Sequence, residues 1–375
     1  MRPFRRVIRG LSLSRGRQHL RPYLLWKGPG TKIAGTESDQ RLNRNNDAIN
    51  WGIIGVGDVT EVKSGPAFYK TEHSSLVAVM RRTAEKAEDY ARRHNVPRWY
   101  SDASELMNDP EVDAVYIATP PDSHARYAIE AMRAGKPVYV EKPMARNYSE
   151  CREMLKVSEE TGQKLWVAYY RRTLPAFLKV KELVEAGEIG RPLLVNIKLH
   201  QQAREGSQSR EEMSWHVFPE ISGGGYFFDL ASHQFDYLDF LLGEVTEVRG
   251  TAANLAGLYP AEDTVSGTWK HESGVVGTGS WCFVVGEGAE ADSIEIIGEA
   301  GRLSLPCFSH GSLVLENRGG IREMKFNNPR HISRNLVQQV VDELRGVGTC
   351  VSTGISAART SRVLDEMVSN YYSGQ

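Results

Sequence analysis

Between Asn50 and Ala168 the chain alternates short apolar runs with helix-length segments, and this alternation limits the fold more than any other feature. The pattern predicts strands at Asn50–Gly55, Leu76–Met80, Trp99-Tyr100, Ala114–Ala118, Val138–Val140 and Lys164–Ala168. It predicts helices between them at Val59–Tyr69, Ala84–His94, Ala103–Asn108, Ser123–Ala134 and Ser149–Thr161. Parallel strands need a crossover that spans the sheet, and a helix of this length supplies one. Such strands are covered on both faces, which explains why they are β-branched and apolar throughout rather than alternating. The expectation is an α/β protein whose first domain, 48–169, holds a doubly wound parallel sheet.

The first strand runs into Gly55-Val56-Gly57-Asp58-Val59-Thr60. Two glycines one residue apart allow a sharp turn and a close approach of the backbone to a pyrophosphate. The following helix start offers N–H groups and a positive dipole end. Thr60 stands where a third glycine would complete the pattern, so the turn alone is a weak signal, and a plain turn is the competing reading. The second strand ends in Arg81-Arg82, at the place that faces the adenosine ribose in dinucleotide-binding sheets. A guanidinium beside a 2′-phosphate gains a charge-assisted bond of about 1.5–3 kcal/mol. This predicts NADP in preference to NAD; the competing reading is two arginines that solvate a strand end. Two more segments follow strand ends, where such sheets bind ligands: Ala118-Thr119-Pro120-Pro121-Asp122-Ser123-His124 and Glu141-Lys142-Pro143.

Beyond Ala168 the period changes. Helices are predicted at Thr173–Ala186, from Gly223 to about Leu242, near Arg334–Arg345 and at Gly354–Tyr371. Strands are predicted at Leu193–Gln201, Glu244–Ala252, Asp263–His271, Gly274–Val284, Ala291–Ile297, Gly301–Leu305, Ser312–Glu316 and Ile321–Lys325. Clear alternation in several of them implies a large, open, mainly antiparallel sheet with one covered face. Residues 170–375 thus form a second α/β domain, whose C-terminal helix is free to pack back on the first. The polar stretch 202–222 is read as a loop over the cleft. In the helix opened by Gly223-Gly224-Gly225, Asp229 and His233 lie four apart on one face, with Asp236 three further on. The glycines are read as removing side chains that would block a substrate. A carboxylate and an imidazole on an otherwise apolar helix call for a partner or a task.

A net charge of -1 argues against binding driven by charge to nucleic acid or to a membrane surface. No run of about 18 apolar residues is present. The four cysteines are widely spaced, without metal-ligand or CxxC spacing, so no metal site is expected and a reduced, cytoplasmic protein is the default. Residues 1–47 are arginine-rich with few acids and precede the first globular signal. A transit segment, a twin-arginine export signal at Arg5-Arg6, and an upstream-extended start or disordered tail compete for them.

GVGDVT, ATPPDSH, EKP and GGGYFFDLASHQFD, in this order and spacing, resemble the Gfo/Idh/MocA oxidoreductases, as do VAYYRRTLPAF and EAGEIGRP. The resemblance runs from Ile49 to the C-terminus. It implies hydride transfer between NAD(P) and a carbon of a sugar, polyol or related cyclic alcohol, and a homodimer or homotetramer joined through the second sheet. Carried over residue by residue, Gly55, Val56, Gly57, Asp58 and Val59 cradle the pyrophosphate. Ala118, Thr119, Pro120 and His124 line the path to the nicotinamide, with Glu141 and Arg171 nearby. Lys142 contacts cofactor and substrate, and Asp229 and His233 take the catalytic positions, with Tyr170 and Arg172 beside the substrate. In that reading His233 exchanges the hydroxyl proton, Lys142 is an electrostatic anchor, and Asp229 fixes the tautomer of His233 or binds a hydroxyl. Tyr170 stands where many relatives have asparagine. A non-catalytic sensor of the same fold, and an enzyme that recycles a tightly bound cofactor, are the alternatives.

Overall fold

The computed structural model describes residues 48–204 and 213–373. The readings of the N-terminal segment, and the middle of the 202–222 loop, lie outside them. Six strands, β1 (Ile49–Ile54), β2 (Ser74–Met80), β3 (Arg98–Tyr100), β4 (Ala114–Ile117), β5 (Val138–Val140) and β6 (Leu165–Val167), pair in the order β3-β2-β1-β4-β5-β6. Every pairing is parallel. The order reverses between β1 and β4, so a crevice opens at their carboxyl ends.

The helices are α1 (Asp58–Val62), α2 (Gly65–Lys70), α3 (Ala84–His94), α4 (Ala103–Asn108), α5 (His124–Arg133) and α6 (Tyr148–Thr161). The single helix expected over Val59–Tyr69 is two. Pro66 has no N–H to continue the first helix, and a Cβ on Gly65 would lie 2.1 Å from the Thr60 carbonyl oxygen. Alternate residues serve opposite faces of the sheet. Trp51, Ile53 and Tyr116 belong to one apolar cluster with Phe68 and Tyr90, whereas Ile54, Val115 and Ile117 join a second with Leu106 and Ala128.

The second half begins with α7 (Pro175–Glu185) and β7 (Pro192–His200), then α8 (Pro219–Ser222) and α9 (Tyr226–Leu242). Strands β8 (Val245–Ala253), β9 (Thr264–His271), β10 (Val276–Cys282), β11 (Ala291–Gly298), β12 (Gly301–Leu305), β13 (Leu313–Asn317) and β14 (Gly320–Met324) follow. The eight-stranded sheet runs β14-β13-β12-β11-β7-β10-β9-β8. It is antiparallel except where β7 meets β10. Its inner face packs Ile197, Trp269, Trp281 and Ile294 against Phe227, Phe235 and Leu238 of α9. Helices α10 (Arg334–Leu344) and α11 (Gly354–Tyr372) close the chain. Leu336, Val337, Val340 and Val341 of α10 enter the Trp51 cluster, and Ala357 and Ala358 of α11 enter the Ile54 cluster. The last two helices therefore complete both covers of the first sheet.

The glycine run before α9 does not open space. A Cβ on Gly223 would fall 2.0 Å from the Arg146 carbonyl, one on Gly224 2.1 Å from the Phe228 ring, and one on Gly225 2.5 Å from the Glu262 carbonyl. Close packing of protein on protein, not access for a substrate, requires these three glycines.

Candidate active site

A cleft of about 1140 Å³ lies between the carboxyl ends of β1, β2, β4 and β5 and the start of α9. Gly55, Val56, Gly57, Asp58, Val59, Arg81, Arg82, Ala118, Thr119, Pro120, Glu141, Lys142, Tyr170, Arg171, Asp229 and His233 all line it. At one end is the glycine turn. Gly55 adopts φ +94, and a Cβ there would meet Thr119 at 2.5 Å, so the turn passes hard against the end of β4. Gly57 faces open space, with nothing within 4 Å of a Cβ built there. Thr60, in place of the third glycine, ties the turn from within. Its hydroxyl accepts from Gly57 N at 3.0 Å and donates to Gly57 O at 2.7 Å. The amides of Asp58 and Val59, in the first turn of α1, have no backbone acceptor among the described residues. This cradle fits an anion such as a pyrophosphate. Arg81 donates to the Val56 carbonyl at 3.0 Å, which holds its guanidinium beside the turn, and Arg82 is exposed.

His124 lies behind the wall rather than in it. It is buried, and its ring nitrogens meet the Pro143 carbonyl at 3.0 Å and the Thr119 carbonyl at 2.7 Å. It thus pins the loop after β4 to the turn after β5, where the Lys142–Pro143 peptide is cis. Glu141 is buried as well. Tyr116 OH donates to its Oε1 at 2.5 Å and Lys142 N to its Oε2 at 3.1 Å, while burial pushes its carboxyl up.

At the other end of the cleft, Lys142 Nζ donates to the Asp229 carboxylate and, at 3.0 Å, to the Asp229 carbonyl. Burial raises the Asp229 carboxyl, but the Lys142 ammonium and His216 outweigh it and leave it below the usual carboxylate range. Asp229 is therefore committed to Lys142 and does not orient His233. His233 is 3% exposed and sits among the rings of Tyr169, Tyr170 and Phe308 at centroid distances of 5.8, 5.2 and 6.0 Å. Its Nδ1 has no hydrogen-bond partner among the described residues. Burial first, then the charges of Arg171, Lys142 and Lys63, push the imidazole well below its ordinary value, so it is neutral at pH 7.

Arg172 does not reach the cleft. It is buried against Asp236, with Nε–Oδ2 at 2.8 Å and Nη2–Oδ1 at 2.7 Å, and it also donates to the Val351 carbonyl at 2.7 Å. It clamps α9 to the segment before α11 and is not among the residues that line the cleft. Several lining residues went unmarked in the sequence: Lys63, Arg204, Trp215, His216, Phe308 and Arg330. His216 Nε2 stands 4.0 Å from Asp229 Oδ2, and its ring stacks on Trp215. An aromatic Trp-His pair in a polar loop was the available signal; Phe308 and Arg330 carried none.

Residues 49–169 match the oxidoreductase family with an NAD-binding Rossmann fold (Gfo/Idh/MocA), and residues 177–304 match the Gfo/Idh/MocA C-terminal domain. The chain is 38% identical over 317 residues to Oxidoreductase P35 of Formosa agariphila, covering 84% of this chain and 97% of that one. It is 30% identical over 203 residues to scyllo-inositol 2-dehydrogenase (NAD(+)) of Bacillus subtilis, covering 54% and 56% of the two chains. An oxidoreductase of Thermotoga maritima superposes with a TM-score of 0.74 at 26% identity, over 85% of this chain and 95% of that one. With a family model matched in each half of the chain and a cleft built on a glycine turn at one end and a lysine–aspartate pair at the other, the chain belongs to the Gfo/Idh/MocA oxidoreductase family.

Proposed function

We propose that the protein is an NADP-dependent oxidoreductase acting on a CH–OH carbon of a sugar, polyol or related cyclic compound. The observation that carries this reading is the convergence of Lys142, Asp229 and His233 at one end of a cleft whose other end holds the glycine turn and Arg81. Gly55 to Val59 and Ala118 to Pro120 would hold the dinucleotide, and bound nicotinamide supplies the hydride acceptor or donor. Lys142, kept in place by Asp229, stabilises negative charge on the substrate oxygen as the carbonyl forms. His233, neutral because it is buried among like charges, accepts the hydroxyl proton at Nε2 and returns it in the reverse direction. Enclosure by Tyr170 and Phe308 keeps water from the reacting carbon.

Preference for NADP is read from Arg81 and Arg82. Titration of wild type and Arg81→Ala with NADPH and NADH, followed by coenzyme fluorescence, tests it. The expected result is a roughly ten- to hundred-fold loss of NADPH affinity with NADH binding unchanged. Tighter NADH binding by wild type would reverse the assignment. Turnover of a coenzyme that survives dialysis would instead favour internal recycling. Assembly into a homodimer or homotetramer through the outer face of the eight-stranded sheet belongs to the same reading. Lys198, Arg249, Thr268 and Glu295 stand on that face, and light scattering on the purified protein measures the mass.

A further inference from the structure

We propose that the substrate carries a carboxylate and that Arg171 is the residue that binds it. The inference rests on the oxidoreductase reading above and narrows its substrate class to acid sugars.

Arg171 and Arg172 are neighbours in one tight turn, Tyr170–Thr173, and both are buried, 6% and 3% exposed. Their surroundings differ in one respect. Arg172 has its acid, Asp236, on two parallel bonds. Arg171 forms no ion pair with any described residue: its Nε donates to the Cys307 carbonyl at 3.2 Å and its Nη1 to the Tyr170 hydroxyl at 3.3 Å, both neutral acceptors. Its guanidinium lies against the ring of Phe308 at 4.4 Å and that of Tyr170 at 5.3 Å, and the residue lines the cleft. A buried guanidinium without a counter-ion is costly, and the cost is recovered where a ligand brings the anion.

Among the described residues, the carboxylates at this end of the cleft are engaged elsewhere. Asp229 is held by Lys142, and Glu141 by Tyr116 and the Lys142 amide. The other charged groups along the cleft are largely cations: Lys63, Arg204 and Arg330. The phosphates of a dinucleotide are provided for at the glycine turn and Arg81. The geometry also suits one small molecule. Tyr170 and Phe308, which flank Arg171, are the same rings that flank His233. A carbinol at His233 and a carboxylate at Arg171 would then share the same two ring walls, as the two ends of a uronate or aldonate could. A planar guanidinium takes a carboxylate through two parallel bonds, and the rings of Tyr170 and Phe308 against it leave a narrow approach that suits the flat anion better than a tetrahedral phosphate ester. Binding such an anion would also offset the charge with which Arg171 disfavours the imidazolium of His233.

The test is a titration of the NADPH-loaded protein with D-glucuronate and D-galacturonate, the matched neutral D-glucose and D-galactose, and glucose 6-phosphate. It is run on wild type, Arg171→Met and Arg171→Lys. The proposal expects the uronates to bind wild type at least ~100-fold more tightly than their neutral partners, and Arg171→Met to lose that margin while Arg171→Lys keeps part of it. It also expects Arg171→Met to melt no lower than wild type, because the variant removes an unpaired buried charge, whereas a purely structural arginine would melt lower. Equal affinity for acid and neutral sugars, a preference for the phosphate ester, unchanged uronate binding in Arg171→Met, or no binding of any of these sugars to protein that holds NADPH would overturn it. Arg171-dependent uronate binding without hydride transfer to or from any of them would leave the site standing and remove the oxidoreductase reading instead.

Discussion

Lys142 and Asp229 meet across the cleft from opposite halves of the chain, 87 residues apart, and the ammonium takes both the carboxylate and the main-chain carbonyl of its partner. The lysine is thereby aimed by the second domain although the first domain carries it. Replacing Lys142 with Met should lower kcat by at least ~10² while coenzyme affinity changes several-fold at most. Asp229→Asn, which keeps the shape but frees the ammonium, should lower kcat less than Lys142→Met and raise KM. Stopped-flow hydride transfer with separate coenzyme titration distinguishes these effects, and full activity in Lys142→Met would remove it from the chemistry.

His233→Ala should reduce alcohol oxidation by ~10²–10⁴. The base must be unprotonated to work, and its ionisation is displaced well below 6.5 by burial and by Arg171, Lys142 and Lys63. The kcat/KM profile for oxidation should therefore be flat through neutral pH and fall only on the acid side of 6.5. An acid limb centred at or above 6.5 in wild type would contradict the assignment of this imidazole.

Arg172→Leu should act on stability rather than on KM. It would strand Asp236, which is fully buried, and the expected cost is about 3–5 kcal/mol. Chemical denaturation measures it, and the test is sharpest beside Arg171→Met, the neighbouring substitution, for which no such loss is expected.

Glu262 is fully buried, accepts from Gly225 N at 2.8 Å and from the Tyr372 hydroxyl at 2.5 Å, and is pushed up by burial to about 7. Because the folded state holds this proton more tightly than the unfolded chain does, the stabilisation is complete below about 4.5. It is lost as pH rises through about 7. Glu262→Gln, which stays neutral, should remove this component, on the order of 1–3 kcal/mol, from the decline in stability between pH 5 and 8. Melting curves across that range for both proteins would show it as a difference in slope.

The strands of the first sheet were legible because burial on both faces leaves uninterrupted apolar runs such as Ala114–Ile117 and Val138–Val140. The break between α1 and α2 was written in Gly65-Pro66 but hidden by helical periodicity on either side. The parallel pairing of β7 with β10 could not be read, since it joins strands with two helices and two other strands between them. In the site, Lys142, Asp229 and His233 stand in patterned surroundings and could be picked out. Arg171 and Arg172 look alike in the sequence, and only Asp236, brought in by α9, tells them apart. Phe308 comes from a segment without period, so nothing local marked it, and His216 was marked only by Trp215 beside it. The glycines before α9 were misread because a sequence shows that a side chain is missing, not which backbone fills its place.

The placing of α10 against Trp51 bears on how this protein is made. The sheet that the ribosome delivers first has an outer layer that it delivers last, since Leu336, Val337, Val340 and Val341 cover the same cluster as Ile49 and Tyr139. A nascent chain that has just finished β6 holds the glycine turn and the strand ends of the cleft but presents a bare apolar flank. The order of synthesis and the order of packing therefore run in opposite directions. Separately expressed, the first half should need a chaperone or a detergent, whereas the full chain closes over itself.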